Sequence, residues 1–378
     1  MQTIITQKDL ATTPKPRLDS VLSACLQIPR AQALQLIKRE QVLLNDRLCL
    51  KPSTQVVLGD TLRVLAADTP PPMHDYTSLE SLTQAKPEFA HIEVLHQDSE
   101  ILIINKPPNI VIHEAPSLKE PTLVDWLKLT QPPIRNLCGD LRYGIVHRLD
   151  RHTSGVLAIA KTPYAHNALS AQLKSRQMGR YYLALITNPL REATTIECYL
   201  GRHPKNRLKI AKLAPYAAHN AHERESMRHI TPTTALLPRE ELSHDTPAHA
   251  GLRYSKSVFV PLLDCAQQSL QLIAVKLYTG RTHQIRAHLE SLGRSIVGDA
   301  LYGYKGEFGA HRVLLHAYLM YLSHPRDCTE STRLDSTQFV FKAPLFADMV
   351  AFLERYFDKD KLDEVLSARF IVDCFGRF

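Results

Sequence analysis

Short apolar runs typical of β-strands outnumber helical patterns along most of this chain and do not alternate regularly with them. The strand-like runs lie at residues 92–95, 101–104, 110–112, 156–160, 181–186, 195–200, 257–262 and 270–277. Helical spacing in the same part of the chain is found at residues 122–129, 165–176, 283–292 and 347–356. A doubly wound sheet alternates strands with helices, so the pattern favours a mixed α+β domain.

A smaller unit is predicted at residues 17–66, before this domain. Its apolar residues recur at helical spacing in two runs separated by Pro29, and strand-and-turn patterns follow at residues 42–47 and 56–64. The unit carries seven basic and four acidic residues. Two helices followed by a hairpin, together with an excess of basic residues, are typical of a small RNA-binding module. The alternative is an ordinary solvated face on a small α+β unit.

Composition suggests how the rest of the chain is divided. A Pro-rich stretch marks a linker, which we assign to residues 67–89. The larger domain is expected at residues 90–346, and residues 347–378 form a C-terminal extension.

Residues 214–251 look like a His-rich insertion within the larger domain. His219 and His222 raise the possibility of a metal site, but no third ligand lies at close spacing. A long surface loop that contacts nucleic acid is the favoured interpretation, and we expect no metal.

Charge and cysteine content limit the class of protein. Lys and Arg number 46 against 38 Asp and Glu, a modest excess that favours a polyanionic partner. No apolar run approaches the roughly 18 residues of a membrane span, and the N-terminus does not resemble a secretory signal. The seven cysteines are scattered, without a C-x-x-C pair. We expect a soluble cytoplasmic protein with no membrane partner.

One carboxylate, Asp150, lies between two arginines in a polar turn that apolar runs flank on both sides. The cations Arg148 and Arg151 favour the ionised carboxylate, which suits a nucleophile or a base. The alternative is a structural ion pair, the commoner role of an Asp beside an Arg.

A second polar segment, residues 279–289, follows the strand-like run that ends at residue 277. A Gly turn leads into a helical pattern with Arg281 at its start, where a cation and free backbone N–H groups could hold an anion. His283 and His288 are five residues apart, which is poor spacing for joint metal binding on one helix face.

Together the two segments resemble the RluA-type family of RNA pseudouridine synthases. His-Arg-Leu-Asp-Arg-x-Thr-Ser-Gly begins at His147, and Gly-Arg-Thr-His-Gln-Ile-Arg-x-His-Leu begins at Gly280. Supporting segments follow the family's order at residues 98–108, 180–185, 201–204, 296–303, 314–318 and 343–345. The first unit is similar to an S4 RNA-binding domain through Arg17-Leu18-Asp19, Val42-x-x-Asn45, Lys51-Pro52-Ser53 and Gly59-Asp60.

The resemblance implies an S4 domain followed in the chain by a catalytic domain with a mainly antiparallel sheet. It also implies that the protein isomerises uridine to pseudouridine in RNA. Asp150 would be the catalytic aspartate. Tyr182 would stack on the flipped base and could assist removal of the C5 proton. Arg281 would pair with Asp150 and keep it ionised, with Arg286 as the second choice for that role.

The resemblance also implies contacts to the substrate. Ile285 would touch the uracil, and Arg148 would fill the space that the extruded uridine leaves in its stack. Arg286 is counted with them among the substrate-binding residues. No cofactor is expected, since the bonds are exchanged within one nucleotide. The sequence leaves open whether Asp150 attacks C1′, attacks the ring or removes a ribose proton.

Ribosomal RNA is favoured over transfer RNA as the partner, because an S4 module most often accompanies the family's rRNA-directed members. We expect a monomer that does not bind DNA. A non-catalytic ribosome-assembly factor would not need Asp150, Tyr182 and Arg281, and a glycosidase would normally need a second carboxylate. The chain departs from the family pattern at Arg180, where Lys is usual, and at residues 40–41, where a Gly is expected.

Overall fold

The computed structural model describes residues 2–4, 16–26, 30–38, 40–65, 76–113, 120–131, 143–213, 251–265, 267–326 and 338–376. The chain divides into two compact units, Met1–Asp75 and Tyr76–Phe378. None of the helices in these ranges combines the length and the apolar character that crossing a membrane requires.

The first unit packs two helices against a four-stranded antiparallel sheet. Its elements are β1 (Gln2–Ile4), α1 (Leu18–Leu26), α2 (Arg30–Lys38), β2 (Val42–Leu44), β3 (Arg47–Leu48) and β4 (Thr61–Val64), with strand order β1-β4-β2-β3. Leu18, Leu22 and Leu62 form part of its core. The helices and hairpin agree with the sequence patterns, whereas β1 lies before the predicted unit. Glu40 has a φ of +60° in the turn after α2, the backbone region that glycine favours.

The second unit is built around one large sheet. Its strands are β5 (Glu93–Gln97), β6 (Ile101–Lys106), β7 (Ser154–Ala160), β8 (Gly179–Thr187), β9 (Thr194–Arg202), β10 (Ile210–Leu213), β11 (Arg253–Asp264), β12 (Leu270–Leu277), β13 (Ser295–Ile296), β14 (Leu315–Ser323) and β15 (Gln338–Lys342). Its helices are α3 (Leu79–Ala85), α4 (Leu123–Thr130), α5 (Pro163–Ser175), α6 (Gln284–Ser291), α7 (Ala347–Tyr356), α8 (Lys359–Val365) and α9 (Ala368–Asp373). Short 3-10 helices cover Pro87–His91 and Ala300–Tyr302.

The strand order confirms the mixed, mainly antiparallel α+β fold. The main path runs β10-β9-β11-β12-β8-β14-β7-β6-β5, with β13 beside β8 and β15 beside β14. Only β14 and β7 pair in parallel among the described strands of this sheet. The strand β8 is the fifth of the nine strands on this path, and β14 and β7 follow it. The segment that leads into β7 therefore lies near the centre of the sheet.

Both faces of the sheet are buried along its strands β6, β7 and β8, which explains their apolar runs in the sequence. Along β8, Tyr182 and Ala184 belong to the core on one face, while Tyr181 and Leu183 belong to the core on the other. The C-terminal helices α7, α8 and α9 supply side chains to the second of these cores. Residues 347–376 are therefore part of the fold of the second unit.

The linker assigned to residues 67–89 is too long. Residues 66–75 lie outside the described ranges, but residues 76–89 belong to the second unit and include the helix α3. Leu82 and Phe89 are 0% and 2% exposed in its main core. The helix has only seven residues, too few for an apolar period to show clearly in the sequence.

Candidate active site

One pocket brings together every residue that the sequence analysis assigned to the site. Its lining includes Arg148, Asp150, Tyr182, Arg281, Ile285 and Arg286. Apolar wall is added by Leu149, Leu277 and Leu315. Among the described residues that line this pocket, Asp150 is the only carboxylate. The lining therefore combines a single anionic group with several cations and apolar side chains.

The turn that carries Asp150 is fixed from both sides before the chain enters β7. The N–H of Thr153 donates to the carbonyl of Asp150 at 3.1 Å, and the N–H of Ala158 donates to Nε2 of His147 at 3.0 Å. Burial lowers the pKa of His147 to about 3, so its imidazole is neutral and accepts this bond. Gly144 has a φ of +72°, and a Cβ there would lie 1.9 Å from the carbonyl oxygen of Ala160.

Arg286 is the cation that pairs with Asp150. Its Nη1 lies 3.6 Å from Oδ2 of Asp150, while Nε and Nη2 donate to the two carboxylate oxygens of Asp299 at 2.6 and 2.8 Å. The guanidinium also lies 4.7 Å from the centre of the Tyr302 ring. Because a bidentate pair fixes the plane of a guanidinium, Asp299 holds Arg286 so that its remaining nitrogen faces the carboxylate of Asp150.

The ion pair expected between Arg281 and Asp150 is not present. Arg281 lies in the loop before α6, and its Nε donates to the carbonyl of Tyr254 on β11 at 2.9 Å. Arg286, the second choice, lies inside α6 and is almost fully buried. Arg281 therefore contributes positive charge to the pocket while its guanidinium bonds to the backbone of β11, and it forms no ion pair with Asp150.

His283 lies beside Asp150 as a neutral group. Its Nδ1 is 3.0 Å from the hydroxyl of Tyr302, and its Nε2 is 3.9 Å from Oδ2 of Asp150. Burial lowers the pKa of His283, so the 3.9 Å approach is not an ion pair at neutral pH and is too long for a hydrogen bond. The residue has a φ of +52°, a left-handed conformation that costs free energy and is common at functional sites.

Gln284 organises the loop that carries Arg281 and His283. Its Oε1 accepts from the hydroxyl of Thr279 at 2.8 Å and from the N–H of Arg281 at 3.0 Å. Its Nε2 donates to the carbonyl of Lys256 and to the hydroxyl of Ser257 on β11. All the polar atoms of this buried amide are thus used to tie the loop to the sheet.

Tyr182, Ile285 and Arg148 line the same pocket as Asp150. Tyr182 is 4% exposed on β8, and Ile285 is 4% exposed in the first turn of α6. Burial raises the pKa of Tyr182, so its phenol keeps its proton near neutral pH and is poorly suited to act as a base. Arg148 is exposed at the edge of the pocket.

Lys106 lies fully buried behind the Asp150 turn. Its Nζ donates to the carbonyls of Pro107 at 2.8 Å, Ile110 at 3.1 Å and Arg151 at 3.4 Å. Burial lowers the pKa of Lys106 to about 7, against the opposing influence of Asp150. The ammonium therefore holds the backbone immediately after Asp150.

The described residues contain no group of three or more His, Cys, Asp or Glu side chains that could hold a metal ion. His219 and His222 lie outside those residues, as do residues 214–250 of the proposed insertion.

Several residues of this site were not singled out in the sequence. Asp299 and Tyr302 position Arg286, Gln284 positions the loop, and Lys106 positions the turn. All four lie within segments that resemble the family's motifs, so the sequence marked these segments as important. Their roles depend on which side chains meet in the fold, which no local pattern reveals.

Comparison with protein families finds two matches in the chain. Residues 100–291, just over half of the chain, match the model described as RNA pseudouridylate synthase. Residues 16–62 match the S4 domain model.

Related proteins match over most of the chain. A Helicobacter pylori (strain J99) protein described as an uncharacterized RNA pseudouridine synthase is 41% identical, over 97% of this chain and 98% of the relative. The ribosomal large subunit pseudouridine synthase D of Xanthomonas campestris is 32% identical, over 76% of this chain and 71% of the relative. The protein of the same name from Xylella fastidiosa is 30% identical, over 82% of each chain.

Proposed function

The chain belongs to the RluA-type RNA pseudouridine synthases that carry an N-terminal S4 domain, and we propose that it isomerises selected uridines of large-subunit ribosomal RNA through Asp150. The observation that carries the proposal is the Asp150–Arg286 pair in a pocket walled by Tyr182 and Ile285. Ribosomal RNA is favoured because relatives at 30% and 32% identity are named as large-subunit ribosomal enzymes.

The proposed reaction exchanges bonds within one nucleotide. The N1–C1′ bond breaks, the freed uracil turns, C5 bonds to C1′, the proton on C5 leaves and N1 gains a proton. These changes balance without a redox partner or a second substrate. The enzyme's part is to extrude the uridine, hold the uracil while it is detached and present a carboxylate to the reacting atoms.

The site residues divide these tasks according to their environment. Arg286 stabilises the negative charge of Asp150, and Asp299 prevents that guanidinium from turning away. Tyr182 and Ile285 contact the faces of the uracil; because the pKa of Tyr182 is raised by burial, stacking suits it better than proton removal. Arg148 enters the gap in the RNA stack.

The direct test is tritium release from uracil C5-labelled ribosomal and transfer RNA, with wild type and Asp150→Asn side by side. We expect release by wild type from ribosomal RNA and none by the variant. Asp150→Asn should fold and bind RNA normally, since Arg286 keeps both hydrogen bonds to Asp299. Asp363→Asn, an exposed carboxylate on α8, serves as the matched control and should release tritium like wild type.

Other outcomes would change the proposal in defined ways. Release from transfer RNA alone would change the substrate class. RNA binding without release from either pool would indicate a non-catalytic factor. Joint loss of folding and binding in Asp150→Asn would make the carboxylate a structural ion pair.

The proposal includes action as a monomer in the cytoplasm. Its cytoplasmic part is supported by Cys49, Cys198, Cys265 and Cys374, which are free thiols in the described part of the chain, as expected in a reducing compartment.

A further inference from the structure

A second cleft adjoins the active-site pocket and is lined by cations. The two share Arg148, Arg180, Gly280 and Arg281. The cleft has a volume of about 590 Å³, within the range of cavities that hold small ligands. We call it the basic cleft; its charged lining consists of Arg148, Lys174, Arg176, Arg180 and Arg281.

Negative charge is missing from this lining. No Asp or Glu is among the described residues that line the basic cleft, and two tyrosines, Tyr254 and Tyr278, give it aromatic surface. Outside the lining, Glu197 is held by Lys256 at 2.6 Å and accepts from the hydroxyl of Tyr254. The cations of the cleft are therefore not neutralised from within.

Arg180 is the residue that marks the cleft as an anion site. It is 7% exposed, yet within the described part of the chain its guanidinium makes no ion pair or hydrogen bond, and its Nε is buried without a partner. A buried cation without a counter-ion is costly, so such groups are normally paired or bind a ligand. Burial lowers the pKa of Arg180, as expected of a cation held in this way.

Gly280 makes room for this guanidinium. A Cβ at Gly280 would lie 2.5 Å from Nη1 of Arg180, so the glycine backbone packs directly against the cation. The side chain of Arg180 thus reaches the wall common to the pocket and the basic cleft.

We propose that the basic cleft binds the RNA strand next to the target uridine, with a backbone phosphate on Arg180. The inference rests on the proposed function, because a uridine in the pocket is joined through phosphodiesters to its neighbours. Since the pocket and the cleft share a wall, a strand leaving the pocket can continue into the cleft. Arg180 receives the phosphate, and Lys174 and Arg176, both exposed at the end of α5, hold the strand further out.

The test measures binding of fluorescein-labelled decauridylate as a function of salt, with full-length wild type and Arg180→Met. Each lost phosphate contact should reduce the slope of log affinity against log salt by about 0.7 for a single strand. We expect Arg180→Met to lower the slope by that amount and to weaken binding roughly three- to tenfold at low salt. Its thermal midpoint should equal or exceed that of wild type, because an unpaired buried charge is removed.

Two controls separate charge from structure. Arg180→Lys keeps the cation and should keep the slope, and Arg191→Gln removes an exposed cation outside the cleft and should leave binding unchanged. An unchanged slope in Arg180→Met would overturn the proposal. If Arg180→Met does not fold, the double variant Lys174→Gln/Arg176→Gln on the exposed rim decides instead: its slope should fall by about 1.4, and an unchanged slope overturns the proposal.

Tritium release by wild type is measured in parallel, so that two different failures can be told apart. If wild type releases tritium and the slope is unchanged in Arg180→Met, the basic cleft does not bind RNA and the proposed reaction stands. If the slope is reduced in Arg180→Met but wild type releases no tritium from any RNA pool, the basic cleft binds RNA and the proposed reaction is rejected.

Discussion

At the scale of single residues, Arg286 contacts two carboxylates, and the stronger contacts are to the one outside the pocket. Removing Arg286 leaves Asp299, whose side chain is 1% exposed, as a buried charge without its partner, which typically costs about 3–5 kcal/mol of stability. We expect Arg286→Met to lose both stability and activity, with turnover reduced by about two to three orders of magnitude. Urea unfolding and tritium release measure the two effects.

The double variant Arg286→Met/Asp299→Leu separates them. Removing both partners of a buried pair is often close to neutral, so most of the stability should return while turnover stays low. Recovery of turnover together with stability would show that Arg286 acts only on folding.

Lys106 gives stability a pH dependence whose sign follows from its burial. Its pKa is about 7 in the folded protein and about 10.4 in an unfolded chain. Between these values the unfolded chain binds more protons, so raising the pH favours the folded state, by at most about 1.4 kcal/mol per pH unit. We expect the free energy of unfolding of wild type to rise between pH 7 and pH 10 relative to that of Lys106→Met.

Urea denaturation at several pH values checks this expectation. The exposed Lys359→Met is the control and should follow wild type at every pH. Parallel curves for wild type and Lys106→Met would mean that Lys106 titrates normally.

At the scale of elements, the parallel pairing of β7 with β14 fixes the start of β7, four residues after Asp150. Gly155 has a φ of +114°, and a Cβ there would lie 2.2 Å from the carbonyl oxygen of Ala317 on β14. Gly155→Ala must separate the strands or distort the turn, and we expect a loss of about 3 kcal/mol or more, together with activity. Gly309→Ala, with a φ of +66° and open space around it, should cost only about 1 kcal/mol.

Urea unfolding measures the loss of unfolding free energy in both variants. Gly155→Ala combines a steric clash with backbone strain, whereas Gly309→Ala has backbone strain alone. Equal losses in Gly155→Ala and Gly309→Ala would show that the two strands can move apart without cost.

The same elements show what the sequence could and could not predict. Apolar runs such as Leu270–Leu277 predict strands because burial on both faces leaves a continuous apolar pattern. Motif resemblance predicts that Asp150, Tyr182 and Ile285 share a site. The choice between Arg281 and Arg286 depends on how the loop before α6 turns, and the sequence-based first choice was wrong. The parallel pairing of β7 and β14 joins segments 162 residues apart, which no local period specifies.

At the scale of the whole molecule, the chain contains two units with separate cores. Among the described residues, Leu18, Leu22 and Leu62 belong to the core of the first unit, while the buried residues that form the cores of the second begin at Leu82. Since each unit buries its own apolar side chains, removing residues 1–75 should leave the second unit folded. The thermal unfolding of a chain of residues 76–378 should therefore stay cooperative.

The RNA affinity of that shortened chain tests what the first unit contributes. Lys38, Arg47 and Lys51 are exposed on it, and each phosphate contact that they make adds to the salt dependence of binding. We expect residues 76–378 to bind large-subunit ribosomal RNA more weakly than the full chain, and the affinity to depend less steeply on salt. At higher enzyme concentration the shortened chain should still release tritium, and this release should depend on Asp150. Full affinity in the shortened chain would show that the first unit does not hold the RNA. Loss of folding would show that the two cores depend on each other, because separate burial would then not be sufficient for stability.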